Sequence, residues 1–549
     1  MKNCLRLLCI ASGLAMGACS GSSNCGCNGY DWQALIPGPQ EAGYDAALEA
    51  KARRYDRGFA AIFSHGTGLN QEFSIPLADE AARAAVRRFF EEDDGFDFEA
   101  FSGLSLADIG QWHKVAGGYA GPGVAADAFR YGVMRDQRYP AAQVEQAREQ
   151  LLRGLEGLHR AAAIPGVPGV IARGLARKDL PGYGQSASTV PLFDGQGKPL
   201  PEEKNNGTWR EDNSGLYPEY VWEDSCSRDM YIGWVIGMAA AWEVARDDAD
   251  IPQAAKDALR EDARLMLREL MKVRPSGYDL EIIDADGRTT YHGYMNENNI
   301  DRAYLPGARN GFYSLMALGC VAGLLFVSGD ETGRAYLDEQ LIAARDLPGI
   351  CRENLMMVDM GVYSNYSNYN MAFDGAWLAL RYLDNPAALD PLWDSLQNIL
   401  YDRPGADRQP SEIAQSFFDF AYAAGRAGGG VHRIPREPPD EAALARGLGT
   451  LREFPDCPYW DTLRENCDEG EVAALHCVAD DGTILELLGD VGRGEKLVAS
   501  TPIPMRIRPP SNYHWRSNPF APNGGGDGSQ LLPGVDFRFA YWLGRWVRR

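Results

Sequence analysis

Ile232-Gly233-Trp234-Val235-Ile236-Gly237-Met238-Ala239-Ala240-Ala241-Trp242 carries no charge, and neither does Phe312-Tyr313-Ser314-Leu315-Met316-Ala317-Leu318-Gly319-Cys320-Val321-Ala322-Gly323-Leu324-Leu325-Phe326-Val327. A helix apolar all round is stable in water only when neighbours enclose it. Each stretch is followed by an amphipathic one. Leu259, Ala263, Met266, Leu270 and Val273 form a helical stripe after the first, and 331–344 follows the second. The alternation returns once more, 370–383 being followed by 387–400. An enclosed helix paired with an amphipathic one is what a closed ring of helical hairpins requires, because only its inner members touch helices on every side. The sequence predicts a mainly α protein, an α/α toroid of helical hairpins with short β-hairpins in the connecting loops. An open stacked array is the competing arrangement, and no residue-level repeat of the solenoid kind accompanies the alternation.

Outward from this core, 42–164 reads as an N-terminal helical region, with helices over 42–63, 77–91 and 141–160; Val144, Ala147, Leu151, Leu155 and Leu158 mark the stripe of the last. The stretch 165–215 is rich in Gly and Pro and reads as an irregular connection. The toroid is then expected over 216–549, closed by a helix around Phe537, Phe539, Ala540, Tyr541, Leu543 and Trp546, whose scant polar surface demands enclosure. Strand-like residues flank Asp284-Ala285-Asp286-Gly287 and Asp480-Asp481-Gly482, which predicts two β-hairpins. Asp284 and Asp286 match the start of a calcium loop, but Met295 stands where its twelfth-position glutamate belongs, so a plain turn is expected.

The chain has 549 residues, 45% of them hydrophobic and 24% charged, and a net charge of −22. Such acidity disfavours nucleic acid and polyanionic substrates, which need concentrated Lys and Arg. Lys2 and Arg6 precede an apolar run with no acid before position 19, the pattern of a secretory signal peptide over 1–18. Leu14-Ala15-Met16-Gly17-Ala18-Cys19 resembles the bacterial lipobox, with Met16 in place of the usual Leu. The resemblance implies a lipoprotein whose Cys19 is acylated, tethered by a linker over 19–41 in the cell envelope, at the outer membrane or the periplasmic face. Eight cysteines then remain: Cys25, Cys27, Cys226, Cys320, Cys351, Cys457, Cys467 and Cys477. Export makes disulfides the default among them, and the wide spacing of the last three lacks a zinc signature, so no metal is expected. The run 312–329 is too short for a transmembrane span and reads as a buried helix.

The loops entering the enclosed helices share a composition that the loops leaving them lack. They are Trp222-Glu223-Asp224-Ser225-Cys226-Ser227-Arg228-Asp229-Met230-Tyr231, Tyr294-Met295-Asn296-Glu297-Asn298-Asn299 and Tyr363-Ser364-Asn365-Tyr366-Ser367-Asn368-Tyr369-Asn370. A fourth cluster, Asn512-Tyr513-His514-Trp515-Arg516-Ser517-Asn518-Pro519-Phe520, precedes the last helix. Parallel inner helices would bring these loops to one mouth, where helix N-termini add free N–H donors. Rings beside amides and carboxylates suit a carbohydrate, because rings stack on sugar faces and amides pair with hydroxyls.

Asp229 (base or nucleophile) and Glu297 (proton donor) are the expected catalytic pair, which hydrolysis would need on either side of the glycosidic bond. Trp222, Arg228, Tyr231, Asn298, Tyr363, Asn368, His514, Trp515 and Asp536 are the expected substrate-binding residues. Each has a plainer reading: Ser225, Ser227 and Asp229 are also good helix caps, Arg228 suits a buried ion pair, and Asn-rich loops are also turns. The serine-hydrolase elbow and the P-loop, zincin and Rossmann motifs are all missing, and no cofactor is expected. Asn205-Asn206-Gly207-Thr208-Trp209 faintly resembles the Asn-Asn segments of toroid polysaccharide lyases; the histidine usual nearby is missing, and no lyase role is carried over. Pro533-Gly534-Val535-Asp536-Phe537 with Tyr541-Trp542-Leu543-Gly544-Arg545 resembles the C-terminal end of uncharacterised secreted Gram-negative proteins, which implies no activity. The expectation is an exported, membrane-anchored lipoprotein whose mouth binds a neutral or weakly charged glycan, with hydrolysis as its further activity. The alternative is a non-catalytic binding scaffold.

Overall fold

The computed structural model describes residues 34–548 except 93, 407, 427–429, 433–436, 469–474, 493–496 and 512–517. Its frame is a ring of helical hairpins. The inner helices are α2 (Gly117–Asp136), α4 (Arg228–Ala245), α6 (Gly311–Ser328), α8 (Tyr366–Tyr382), α10 (Ser416–Arg426) and α12 (Val535–Trp546). Outside them lie α1 (Ala46–Gly58), α3 (Ala141–Ala163), α5 (Gln253–Leu270), α7 (Glu331–Ala335, continued by a π-helical stretch Tyr336–Ala344), α9 (Pro386–Asp394, continued likewise over Ser395–Tyr401) and α11 (Glu441–Glu453). Each inner helix packs on the next, α2 on α4, α4 on α6, α6 on α8, α8 on α10 and α10 on α12, and α12 returns to α2, so the ring is closed. This is an α/α toroid rather than an open array.

The inner helices are parallel, as the order of their contacts shows. Gly117 of α2 faces Met230 and Gly121 faces Gly233; Gly319 of α6 meets Gly375 and Gly323 meets Leu378 of α8. Phe373 stacks on Phe418 at 3.8 Å, and Phe417 meets Phe539 at 5.0 Å. On the closing contact Asp127 pairs with Arg538 and Gly132 lies against Trp546. The described helix long and apolar enough to cross a membrane is α6, and its apolar window is buried inside the ring. Outer helices bury one face, as in α5 through Leu259, Ala263, Met266 and Leu270.

The expected boundary at residue 216 is corrected by this topology, because α1, α2 and α3 are members of the ring. Gly117, Gly118, Gly121, Pro122 and Gly123 make α2 look like a loop in the sequence. In the fold they let two helix backbones touch: a Cβ at Gly121 would lie 1.6 Å from the Gly233 carbonyl oxygen. Ring closure also buries a charge cluster. Arg538, wholly buried, pairs with Asp56 at 2.9 Å and Asp127 at 2.6 Å, while Arg130 lies 3.4 Å from Asp56.

The stretch 165–215 contributes strands as well as irregular chain. Strands β1 (Val115–Ala116), β2 (Gly174–Arg177), β3 (Trp209–Glu211) and β4 (Tyr220–Glu223) form an antiparallel sheet in the order β1-β2-β4-β3. Its first strand leads directly into α2, and its last leads through 224–227 into α4. The two hairpins form as expected, β5 (Glu281–Ile283) with β6 (Thr289–Tyr294) and β7 (His476–Val478) with β8 (Ile484–Val491). At the turn of the first, Asp284 and Asp286 converge with Asp224 on the Lys204 ammonium group, which supplies the positive charge there. Cys467 and Cys477 are joined in a disulfide. The wider disulfide expectation is corrected for Cys226, Cys320 and Cys351, which are buried free thiols packed as small apolar residues, and for Cys457, also free. Cys19, Cys25 and Cys27 lie outside the described residues.

Candidate functional site

Parallel packing gathers the N-termini of the inner helices, with their free N–H groups and positive dipole ends, at one mouth. The entry to α4 is the most elaborated part. Ser225 is a buried non-glycine residue at φ 61°, a conformation held only where surroundings enforce it. Its N–H donates to Asp284 at 2.8 Å, its hydroxyl donates to the Asn205 carbonyl at 2.8 Å, and the Tyr291 N–H donates to that hydroxyl at 3.0 Å. Ser227 occupies the N-cap position, yet its side chain makes no capping bond. Its hydroxyl instead donates to Asp229 and accepts from Arg173 at 2.6 Å. The carboxylate of Asp229 is thus oriented in the first turn of α4, where the dipole favours negative charge.

From Asp229 a polar chain runs outward. Arg173 reaches Glu223 at 3.8 Å, and Lys114 donates to Glu223 at 2.6 Å. The Lys114 ammonium lies 5.9 Å from the Trp209 ring centre, Trp209 lies 5.9 Å from Tyr183, and Tyr183 lies 6.2 Å from His113. Tyr183 is 45% exposed, so the chain ends in an aromatic strip open to solvent. On the hairpin side, Arg302 covers the Tyr291 ring at 4.1 Å, and His292 sits 3.8 Å from Asp301. Burial, and then the Arg228 charge, holds the His292 imidazole below its ordinary pKa, which favours its neutral form.

Arg228 straps the entry together. Its Nη1 lies 3.4 Å from the Tyr294 and Asp301 carbonyls, its guanidinium covers Tyr313 at 4.6 Å, and its Nε is buried with no hydrogen-bond partner among the described residues. Arg228, Asp229 and the 294–301 loop are therefore neighbours, but Glu297 is not poised as a proton donor. It is 8% exposed and forms a two-pronged pair with Arg345, which also binds Asp279 at 2.8 Å. Both of its oxygens accept from the Arg345 guanidinium, which ties the carboxylate into that pair and turns it away from a bound sugar. Trp222 is corrected too: it is wholly buried, its indole N–H donating to the Glu211 carbonyl at 2.9 Å, so no ring face is free to stack. Tyr231, also buried, donates to the Met266 carbonyl at 3.4 Å. Asn298 is a turn former, accepting from the Gly307 N–H at 2.9 Å.

At the entry to α8, Tyr363 is 60% exposed, and Asn368 donates to the Met357 carbonyl at 2.8 Å. Beside this loop a cavity of about 540 Å³ opens between 354–359 and 403–406, with Arg403 paired to Asp359. Asp536 stands in the first turn of α12, buried. His514 and Trp515 lie outside the described residues. At the opposite end of the ring another cavity, about 320 Å³, is lined in part by Glu243, Arg381 and Trp546. There Glu243 is saturated, accepting from Trp546 at 2.6 Å, Tyr382 at 3.0 Å and Arg381. Arg173, Lys114, Tyr183 and His292 do not stand out in the sequence, and Trp209 does so only within the 205–209 segment, to which no role is carried over. The one available signal was the Trp209-Arg210-Glu211 alternation, masked by the Gly- and Pro-rich chain around it.

No family model matches this chain, and no curated protein matches it. Among solved structures, endoglucanase CelQ from Clostridium thermocellum complexed with cellotriose is 12% identical over 91% of this chain and 69% of its own, with a TM-score of 0.37. A metagenome-derived glycoside hydrolase family 9 endoglucanase is 15% identical over 91% of this chain and 79% of its own, also with a TM-score of 0.37.

Proposed function

We propose that the mouth binds a neutral or weakly charged glycan, and that the protein does so as a lipid-anchored component of the cell envelope. The observation that carries the glycan reading is the chain Lys114–Glu223–Arg173–Ser227–Asp229, which joins an oriented carboxylate at a helix N-terminus to the Trp209 and Tyr183 rings. Rings offer stacking faces to pyranoses, and the charged donors and acceptors between them match hydroxyl groups in both directions. Hydrolysis adds a role for Asp229 as base or nucleophile on the bound sugar.

The pairing of Glu297 with Arg345 favours the second reading, a binding scaffold without catalysis, because it removes the expected acid from the reaction. A glycan-array screen followed by a reducing-end release assay separates the two. The enzyme reading expects release, abolished in Asp229→Asn while binding persists. Binding without release selects the scaffold. If no neutral glycan binds, or if Trp209→Ala with Tyr183→Ala binds as well as the wild type, the glycan reading fails.

A further inference from the structure

The chain enters the folded ring at the end opposite the mouth. Ala34 pairs with Arg548, the Leu35 N–H donates to the Val547 carbonyl at 3.1 Å, and the Ile36 N–H donates to the Gly544 carbonyl at 2.8 Å. These partners lie at or just beyond the C-terminal end of α12, and α12 runs parallel to α2 and α10. Arg548 further lies 3.6 Å from Glu41, and Gly38 packs against Gln137 beyond the end of α2. Residues 34–41 therefore cross the face where the inner helices end. Asp229 and the aromatic strip lie where they begin, separated along α4 by about 27 Å at 1.5 Å per residue.

We infer that the face formed by the C-terminal ends of the inner helices is turned toward the bilayer, and that the mouth faces away from it. The inference rests on acylation of Cys19 and does not depend on what the mouth binds. Fourteen residues lie between Cys19 and Ala34, so fifteen Cα steps join them, and fully extended these reach about 50 Å. Ala34 already lies on the face where the inner helices end, whereas an anchor on the mouth side would require the same span to cover the ring's height of about 27 Å as well, and the breadth of the outer helices, each about 10 Å across. A polymer would then reach the mouth from the side remote from the membrane.

The test uses full-length protein with its own signal, purified from membranes and reconstituted in phosphatidylcholine vesicles containing a headgroup-nitroxide lipid. Cys25, Cys27 and Cys457 are replaced by Ser, and a fluorophore is attached either at Ala249→Cys, exposed beyond the end of α4, or at Tyr363→Cys, exposed at the mouth. The inference expects several-fold stronger quenching at position 249 than at 363. Equal quenching, or stronger quenching at 363, overturns the orientation while leaving anchoring intact. Radiolabelled palmitate incorporation, compared with Cys19→Ala, reads the anchoring separately; no incorporation in the parent protein overturns anchoring, and the orientation with it.

Discussion

Gly121→Ala and Gly123→Ala lie two residues apart on α2 and should move stability in opposite directions. At Gly121 the new methyl would stand 1.6 Å from the Gly233 oxygen and 2.3 Å from the Gly233 carbonyl carbon, where ordinary contact begins near 3.4 Å. The obstacle is backbone, so no side-chain rotation relieves it. The helices α2 and α4 would have to part by well over an ångström, and even a gap of about 0.5–1 Å forfeits a quarter to a half of the dispersion attraction across the seam. Overpacking costs about 1–3 kcal/mol where side chains can yield, so this change should cost at least the upper figure. The helix-propensity gain of about 1 kcal/mol for Gly to Ala offsets only part of it. At Gly123 the nearest atoms are Asn70 Cβ at 3.5 Å and the Phe59 ring at 3.7 Å, which is ordinary contact. There the propensity gain should survive, making the variant neutral or up to about 1 kcal/mol more stable. Urea unfolding followed by far-ultraviolet circular dichroism, with wild type and both variants side by side, gives the comparison. A Gly121→Ala midpoint equal to or above that of Gly123→Ala would refute close backbone packing as the reason for these glycines.

Arg538→Met should cost about 3–5 kcal/mol, because it takes the paired guanidinium from Asp127, which keeps only a weak donor in Gln150 at 3.4 Å among the described residues, and leaves Asp56 to Arg130 and Trp542 in a dry interior. Adding Asp127→Asn should recover part of that loss, and a double variant no more stable than Arg538→Met in urea would show that charge is not the cause. Burial pushes the Asp419 carboxyl up to about 7, against the Tyr401 hydroxyl donating at 2.5 Å and Arg446 at 3.5 Å. The folded state therefore holds this proton more tightly than the unfolded chain, and the group's contribution falls as pH rises from about 4 to about 7, by at most about 4 kcal/mol at 1.36 kcal/mol per unit. Asp419→Asn should flatten that part of the stability-against-pH curve, as read from urea midpoints at pH 5 and 8; an unchanged difference between the two would count against the buried acid.

The sequence by itself determined the architecture where composition leaves little choice. The charge-free stretches that became α4 and α6 had to be enclosed, the striped α5 had to lie outside them, and the aromatic C-terminal stretch had to pack inside, which together imply a ring. It also marked the 222–231 loop as unusual, although the role of each residue there was not local information. Trp222 and Tyr231 look like binding aromatics until strand and helix direction turn them inward, and Glu297 looks like an acid until Arg345, forty-eight residues later, reaches it. The glycines of α2 could not announce a helix, because their value is realised only when α4 lies against them. Tertiary structure alone decided that Arg173 and Lys114 meet Glu223, and that residue 34 enters opposite the mouth. Periodicity reports which face of an element is buried; it carries no record of the distant element that buries it.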